Sequence, residues 1–314
     1  MKIFFLTLYF HLLAFPLAIL LFAFQWKRKI ILKNLSASPF LHLSHPQLFL
    51  WRFYKNLSLD FFQLIHGHYL WPIQIRSQDQ DKISRLKSHP SLLLAAHFHN
   101  WELMGSWLRK NQELDLLSAA LPLKGKLFQT FLIRLRHRLN NPVLFENIPK
   151  RALAHLSKGK CFGIIWDQNP FSLPSPNISF QNPRALKSHT HSSQTDSTKK
   201  YPSAPLFGIS IPMNPLPHFL LKNVPASELA IFFAVLLPQG EFRILQILKS
   251  SPKPKFASGI DSNFNARSRS ISEACSKSQK VARRYHRVLE ILIRKYPDFY
   301  FGLAHRRFKD STPY

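Results

Sequence analysis

From Ile3 to Trp26 the chain is apolar almost without interruption, broken only by Thr7, His11 and Gln25. Coiled as a helix at about 1.5 Å per residue, this run reaches roughly 36 Å, enough to cross the hydrocarbon core of a bilayer. A cleaved signal peptide fits poorly. The run is too long, no small-x-small cleavage site follows it, and Lys27-Arg28-Lys29 comes directly after. The reading is therefore a retained anchor over residues 1–26. Only Lys2 precedes it, whereas Lys27, Arg28, Lys29 and Lys33 follow, so the positive-inside rule places the chain after residue 26 in the cytoplasm. Pro16 permits a kink, or a helix that dips in and lies along the interface.

The remainder has the material for a substantial core. In 314 residues, 46% are hydrophobic and Phe alone takes 28 positions against 9 for Gly, which excludes fibrous and linker-like compositions. The formal charge of +27 demands an anionic partner: nucleic acid, phospholipid headgroups, or a phosphorylated or acidic-carrier substrate. No nucleic-acid-reading motif accompanies the charge, so no nucleic-acid partner is expected. Cys161 and Cys275 allow at most one bridge and suggest a reducing compartment.

Leu48, Trp51, Tyr54, Leu57, Phe61 and Leu64 recur at helical spacing and predict an amphipathic helix near the membrane. The short apolar run 91–96 predicts a buried strand, followed by a turn and a helix from Trp101. Residues 152–158 then read as a helix capped by Gly159, and 161–166 as another strand. This alternation implies an α/β class, a mixed sheet flanked by helices, in one domain over 27–314. Within it, 172–204 reads as a disordered insertion and 249–280 as a basic flexible segment passing into a helix through Tyr285, Val288, Leu289 and Leu292.

The chemistry concentrates at His97-Phe98-His99-Asn100-Trp101-Glu102. On one helix, His97 and Glu102 would lie about 140° apart. A turn at a strand end removes that obstacle: if Asn100 caps the next helix, Glu102 falls in its first turn, favoured by the helix dipole. From there its carboxylate could hold one ring nitrogen of His97 and raise the basicity of the other, as a general base requires. Neither cysteine sits in a nucleophile-activating context, and the pairs His66/His68, His97/His99 and His189/His191 lack a known zinc-binding spacing. No metal site and no cofactor are expected, since no phosphate-binding glycine loop occurs.

The same block resembles the H-x-x-N-W-E motif of the lipid A biosynthesis lauroyl/myristoyl acyltransferases, within the wider lysophospholipid acyltransferase group. Further blocks follow in that family's order: Leu156 to Lys160 running into Gly163-Ile164-Ile165-Trp166-Asp167-Gln168, then Leu206-Phe207-Gly208, Tyr296-Pro297 and His305-Arg306-Arg307-Phe308-Lys309. The resemblance implies a glycerolipid acyltransferase-like fold. It also implies transfer of a fatty acyl chain, from acyl carrier protein or acyl-CoA, to a hydroxyl of a lipid A precursor. The partners would include membrane phospholipid, and the site would lie at the cytoplasmic face of the inner membrane. On this likeness His97 is the base, Glu102 its orienter and Arg134 an oxyanion or phosphate contact. Asn100, Arg136, Asp167, Gln168, His305 and Arg306 are then expected to bind substrate. The chain departs from the family at Ala120-Leu121-Pro122, Leu216-Pro217, Phe301 and Leu303, which bears on the identity of donor and acceptor. Competing readings are a glycerophospholipid acyltransferase, which usually carries H-x4-D, and a non-catalytic basic protein of the membrane surface.

Overall fold

The computed structural model describes residues 2–36, 45–67, 69–120, 125–167, 203–207, 209–212, 214–224, 229–248 and 263–304. Helices α1 (Lys2–Ala23), α2 (Arg28–Ser36) and α3 (Pro46–His66) open the chain. There follow β1 (Gln74–Ile75), α4 (Ser77–Ser88), β2 (Ser91–Ala95), α5 (Trp101–Asn111), β3 (Leu116–Ala119), α6 (Lys126–Arg138), β4 (Val143–Leu144), α7 (Ile148–Leu156) and β5 (Cys161–Ile165). The last third holds a β6–β7 hairpin (Ser203–Leu206, Ile209–Pro212), α8 (Pro215–Asn223), β8 (Ala230–Leu236), β9 (Glu241–Leu248), α9 (Asn263–Lys295) and two 3-10 turns, Pro297–Phe299 and Phe301–Ala304.

Seven strands form one mixed sheet in the order β1-β9-β8-β2-β5-β3-β4, with only the β8–β9 pair antiparallel. Both faces are covered, which is why β2 and β8 read as unbroken apolar runs instead of alternating ones. Leu92, Leu94, Ile231, Phe233 and Val235 point to one face, packing with residues of α7, α8 and α9. Leu93, Ala95, Ala230, Phe232 and Ala234 point to the other, packing with residues of α4 and α5. This agrees with the α/β class read from sequence.

One sequence expectation changes here, and a second lies mostly outside the described residues. Residues 263–280 belong to α9 and not to a flexible segment, and only 249–262 of that stretch fall outside the described residues. The many serines suggest a loop, yet Ala, Arg, Glu, Lys and Gln are interspersed among them, and these are strong helix formers. Most of the insertion expected at 172–204 lies outside the described residues, although Ser203 and Ala204 are already in β6.

The helix expected around residues 48–64 forms as α3, but it is apolar on more than one side. Phe53 and Tyr54 are buried against the domain, while Trp51 faces the rings of Phe15 and Phe22 on α1. A helix sandwiched between two partners has no single polar face, which is why its periodicity is broader than that of a surface helix.

Candidate active site

Strands β2 and β5 are neighbours and parallel, with Ser91 opposite Cys161 and Ala95 opposite Ile165. Each strand continues two residues beyond its last pair, to His97 and to Asp167. The two side chains therefore arrive side by side at the carboxyl ends of adjacent strands, where α/β sites gather their polar groups. His97 Nδ1 lies 2.6 Å from Asp167 Oδ1, and the backbone N–H of His97 donates to Asp167 Oδ2 at 2.9 Å. A carboxylate can only accept, so Nδ1 carries the proton and Nε2 is the basic nitrogen. Both residues are buried.

This corrects the sequence expectation for Glu102. The hydrogen bond anticipated between His97 and Glu102 is made by Asp167, because strand register brings Asp167 to Nδ1 directly. Glu102, in the first turn of α5, is instead held by the guanidinium of Arg136 on α6: Arg136 Nε donates to its Oε2 at 3.1 Å, and Nη2 to Oε1. Asn141 Nδ2 adds a longer contact to Oε2 at 3.3 Å. A planar guanidinium engaging both carboxylate oxygens fixes both side chains. Of the two arginines considered, the fold thus brings Arg136 to Glu102, whereas Arg134 is exposed on α6. Gln168, His305 and Arg306 lie outside the described residues.

The turn carrying His97 is pinned by the C-terminal 3-10 turns. Phe301 N–H donates to the His97 carbonyl at 2.8 Å, and His99 N–H to the Phe299 carbonyl at 2.8 Å. His99 adopts the left-handed backbone conformation, φ 46°, unusual for a non-glycine residue, and its ring joins a second buried pair. Its Nδ1 lies 2.9 and 3.1 Å from the two oxygens of Asp60 on α3. Burial pushes the Asp60 carboxyl up and His99 opposes that shift. Asn100, expected to cap α5 or bind substrate, makes no side-chain cap bond; its Nδ2 donates to the Asp60 carbonyl at 3.0 Å. Tyr69 donates its hydroxyl to the Asn100 carbonyl at 2.7 Å, and burial followed by the Asp60 charge holds that phenol well above its ordinary range.

Sequence reasoning missed Asp60, Tyr69 and Asn141. Asp60 had one legible signal: a lone carboxylate in the apolar stretch Leu59-Asp60-Phe61-Phe62. Its partner lies 39 residues away, so no local spacing could name it.

A slot runs from the Glu102–Arg136 pair between α5 and the sheet, lined by Ala95, Met104, Leu108, Leu116 and Ile164 among others. Gly105 and Gly163 let neighbouring side chains pack tightly along it: a Cβ on Gly163 would stand 3.0 Å from Leu116 Cδ1, and one on Gly105 3.1 Å from Asn141 Nδ2. Trp101 links slot to base, since it lines the slot and stands edge-on to His97 with ring centres 5.0 Å apart. Among the described residues no cluster of His, Cys, Asp and Glu could hold a metal ion. Burial pushes the Cys161 thiol far up, which makes it a poor nucleophile.

No curated protein matches the chain. Residues 65–180, which carry His97, Glu102, Arg136 and Asp167, match the model of the bacterial lipid A biosynthesis acyltransferase family.

Proposed function

We propose that this acyltransferase domain moves a fatty acyl chain from a thioester donor to a hydroxyl of a lipid A precursor, at the cytoplasmic face of the inner membrane. The observation that carries the reading is the His97–Asp167 pair, in which the carboxylate holds the imidazole as the Nδ1–H tautomer. His97 Nε2 takes the proton from the acceptor hydroxyl, and the freed oxygen attacks the thioester carbonyl carbon. Charge gathers on the carbonyl oxygen of the tetrahedral intermediate, and we assign its stabilisation to Arg136, whose guanidinium Glu102 orients. The C–S bond then breaks, and the departing thiolate takes its proton from the His97 imidazolium. Asp167 stabilises that cation without accepting its proton. No covalent acyl-enzyme is required.

The apolar lining of the slot suits a fatty chain, and Gly105 and Gly163 are among the residues that line it. A net charge of +27 suits an acidic carrier protein as donor and phosphate groups on the acceptor. The test is a transfer assay on purified membranes with a lipid A precursor and a panel of acyl-carrier-protein and acyl-CoA thioesters, run beside His97→Ala and Asp167→Ala. The expected result is a mass gain of one acyl group that disappears in His97→Ala. A gain indifferent to His97 would refute the mechanism, and acylation of lysophospholipid alone would refute the acceptor.

A further inference from the structure

Helix α1 is long and apolar enough to cross a bilayer, Phe4–Ala23 being the candidate span. Its packing argues for a different placement. A buried stripe of Phe10, Ala14 and Ala18 runs along one side at every fourth residue. The two small residues let α1 lie close against α3, and the helices run antiparallel over nearly their whole lengths. At one end Tyr9 and Phe10 stand edge-on to His66, with the Tyr9 hydroxyl 2.8 Å from His66 Nε2. At the other, Phe22 meets Trp51 and Tyr54, and the Tyr54 hydroxyl donates to the Trp26 carbonyl at 2.6 Å. Between these ends Ala14 joins Phe10 in a cluster with Leu59.

Leu59 adjoins Asp60, the residue that holds His99, so the middle of α1 lies level with the catalytic turn. A crossing α1 would drag that turn to mid-bilayer. It would also take a cavity of about 210 Å³ there, lined by His11, Lys55, Gln63 and His99 among others. Burying an ammonium and two imidazoles in hydrocarbon is costly. The α1–α2 connection cannot swing away to avoid this, because Asn34 on α2 donates to the Leu303 carbonyl at 2.6 Å.

The outer face of α1 does point to lipid: Phe5, Leu8, Leu12, Phe15 and Ile19 are exposed. A chain of apolar contacts extends that face onto a second element. Phe62 packs in the cluster containing Phe10, Phe61 touches Phe62 and Phe131, and Phe131 stacks with Phe128 at the start of α6. Leu127 beside it is 91% exposed. A transmembrane helix needs no such belt on the catalytic domain. Lys27 just after α1, Arg28 and Lys29 at the start of α2, and Lys126 on α6 flank these apolar segments with positive charge, as an anionic headgroup layer requires.

We infer that α1 lies in the plane of one leaflet, and that its outer face and the Leu127–Phe131 edge of α6 form one membrane-docking surface beside the site. The inference rests on the membrane-associated reading above and specifies how that association is made. The test uses the full chain in phosphatidylethanolamine/phosphatidylglycerol vesicles, with spin labels on Phe5→Cys, Leu12→Cys, Ile19→Cys and Phe128→Cys, each in a Cys275→Ser background. Immersion depth is read from relaxation by oxygen against a water-soluble nickel complex. The expected result is one shared shallow depth for all four. A profile in which Leu12→Cys sits roughly 10 Å deeper than Phe5→Cys and Ile19→Cys, as seven residues at about 1.5 Å each demand of a crossing helix, would overturn the inference and leave membrane association intact. Labels level on α1 with Phe128→Cys in water would overturn the shared surface. Four labels in water would overturn the membrane reading itself.

Discussion

His97 and His99 stand two residues apart, each with a buried carboxylate on Nδ1, yet the pairs serve opposite sides of the turn. His97 pairs with Asp167 across a parallel strand boundary, beside a ring that lines the apolar slot. His99, turned back by its left-handed backbone, pairs with Asp60 and ties the catalytic turn to α3. On the proposed mechanism the same two side-chain types thus give chemistry in one direction and support in the other. What separates them is where the partner comes from: a strand end, or the helix behind the turn.

The comparison breaks most sharply at the bases themselves. His97→Ala is expected to lower transfer about 10³-fold at matched folded fraction, in the range that general-base removal typically costs, beside a loss of stability from leaving Asp167 buried without its imidazole. His99→Ala should lower the melting temperature while activity per folded molecule is largely kept. Equal loss of activity in both, at matched folded fraction, would erase the distinction. At the carboxylates, Asp60→Ala leaves His99 without its buried counterpart and should cost about 3 kcal/mol in chemical denaturation. Asp167→Asn should instead reduce kcat about 10²-fold with KM for the donor little changed, because the amide can stabilise the other tautomer.

Finer tests separate slot from scaffold. Gly163→Ala places a methyl 3.0 Å from Leu116 Cδ1 and should shift the preferred donor towards shorter chains, by about tenfold in the ratio of kcat/KM values, which a donor panel reads directly. The smallest effect concerns pH. The Tyr69 phenol is held above its ordinary value of 10.0 in the folded protein, so folded and unfolded chains are both neutral there below pH 10. Above it the unfolded chain ionises first, and stability falls by up to about 1.4 kcal/mol per pH unit. Tyr69→Phe should flatten that alkaline limb while costing about 1 kcal/mol at neutral pH for the hydrogen bond to Asn100. An unchanged alkaline limb would place the Tyr69 titration elsewhere.

Much of the molecule was legible in its residues. The apolar runs 91–96 and 161–166 announce buried strands through hydrophobicity alone, and each run is followed at once by a residue of the site. The N-terminal run announces a long apolar helix in the same way. His97 stands out because a strand-end His/Asn cluster before a helix offers few structural reasons to exist. Local pattern records which residues are buried and at what period, and these properties belong to each segment separately.

Partners do not. That Asp167 and not Glu102 takes Nδ1 of His97 follows from the β2–β5 register, which depends on two segments 70 residues apart. That Arg136 and not Arg134 reaches Glu102 depends on how α6 is rotated against α5, a turn of two residues that composition cannot resolve. Hydropathy marks α1 as long and apolar enough to cross a membrane, while its direction relative to the domain came from the Phe10–Ala14–Ala18 stripe meeting α3. The sequence by itself determined the buried runs, the class and the candidate base. Tertiary structure decided which carboxylate meets that histidine, which arginine meets Glu102 and which face of α1 packs on α3, because each is a relation between surfaces distant in the chain.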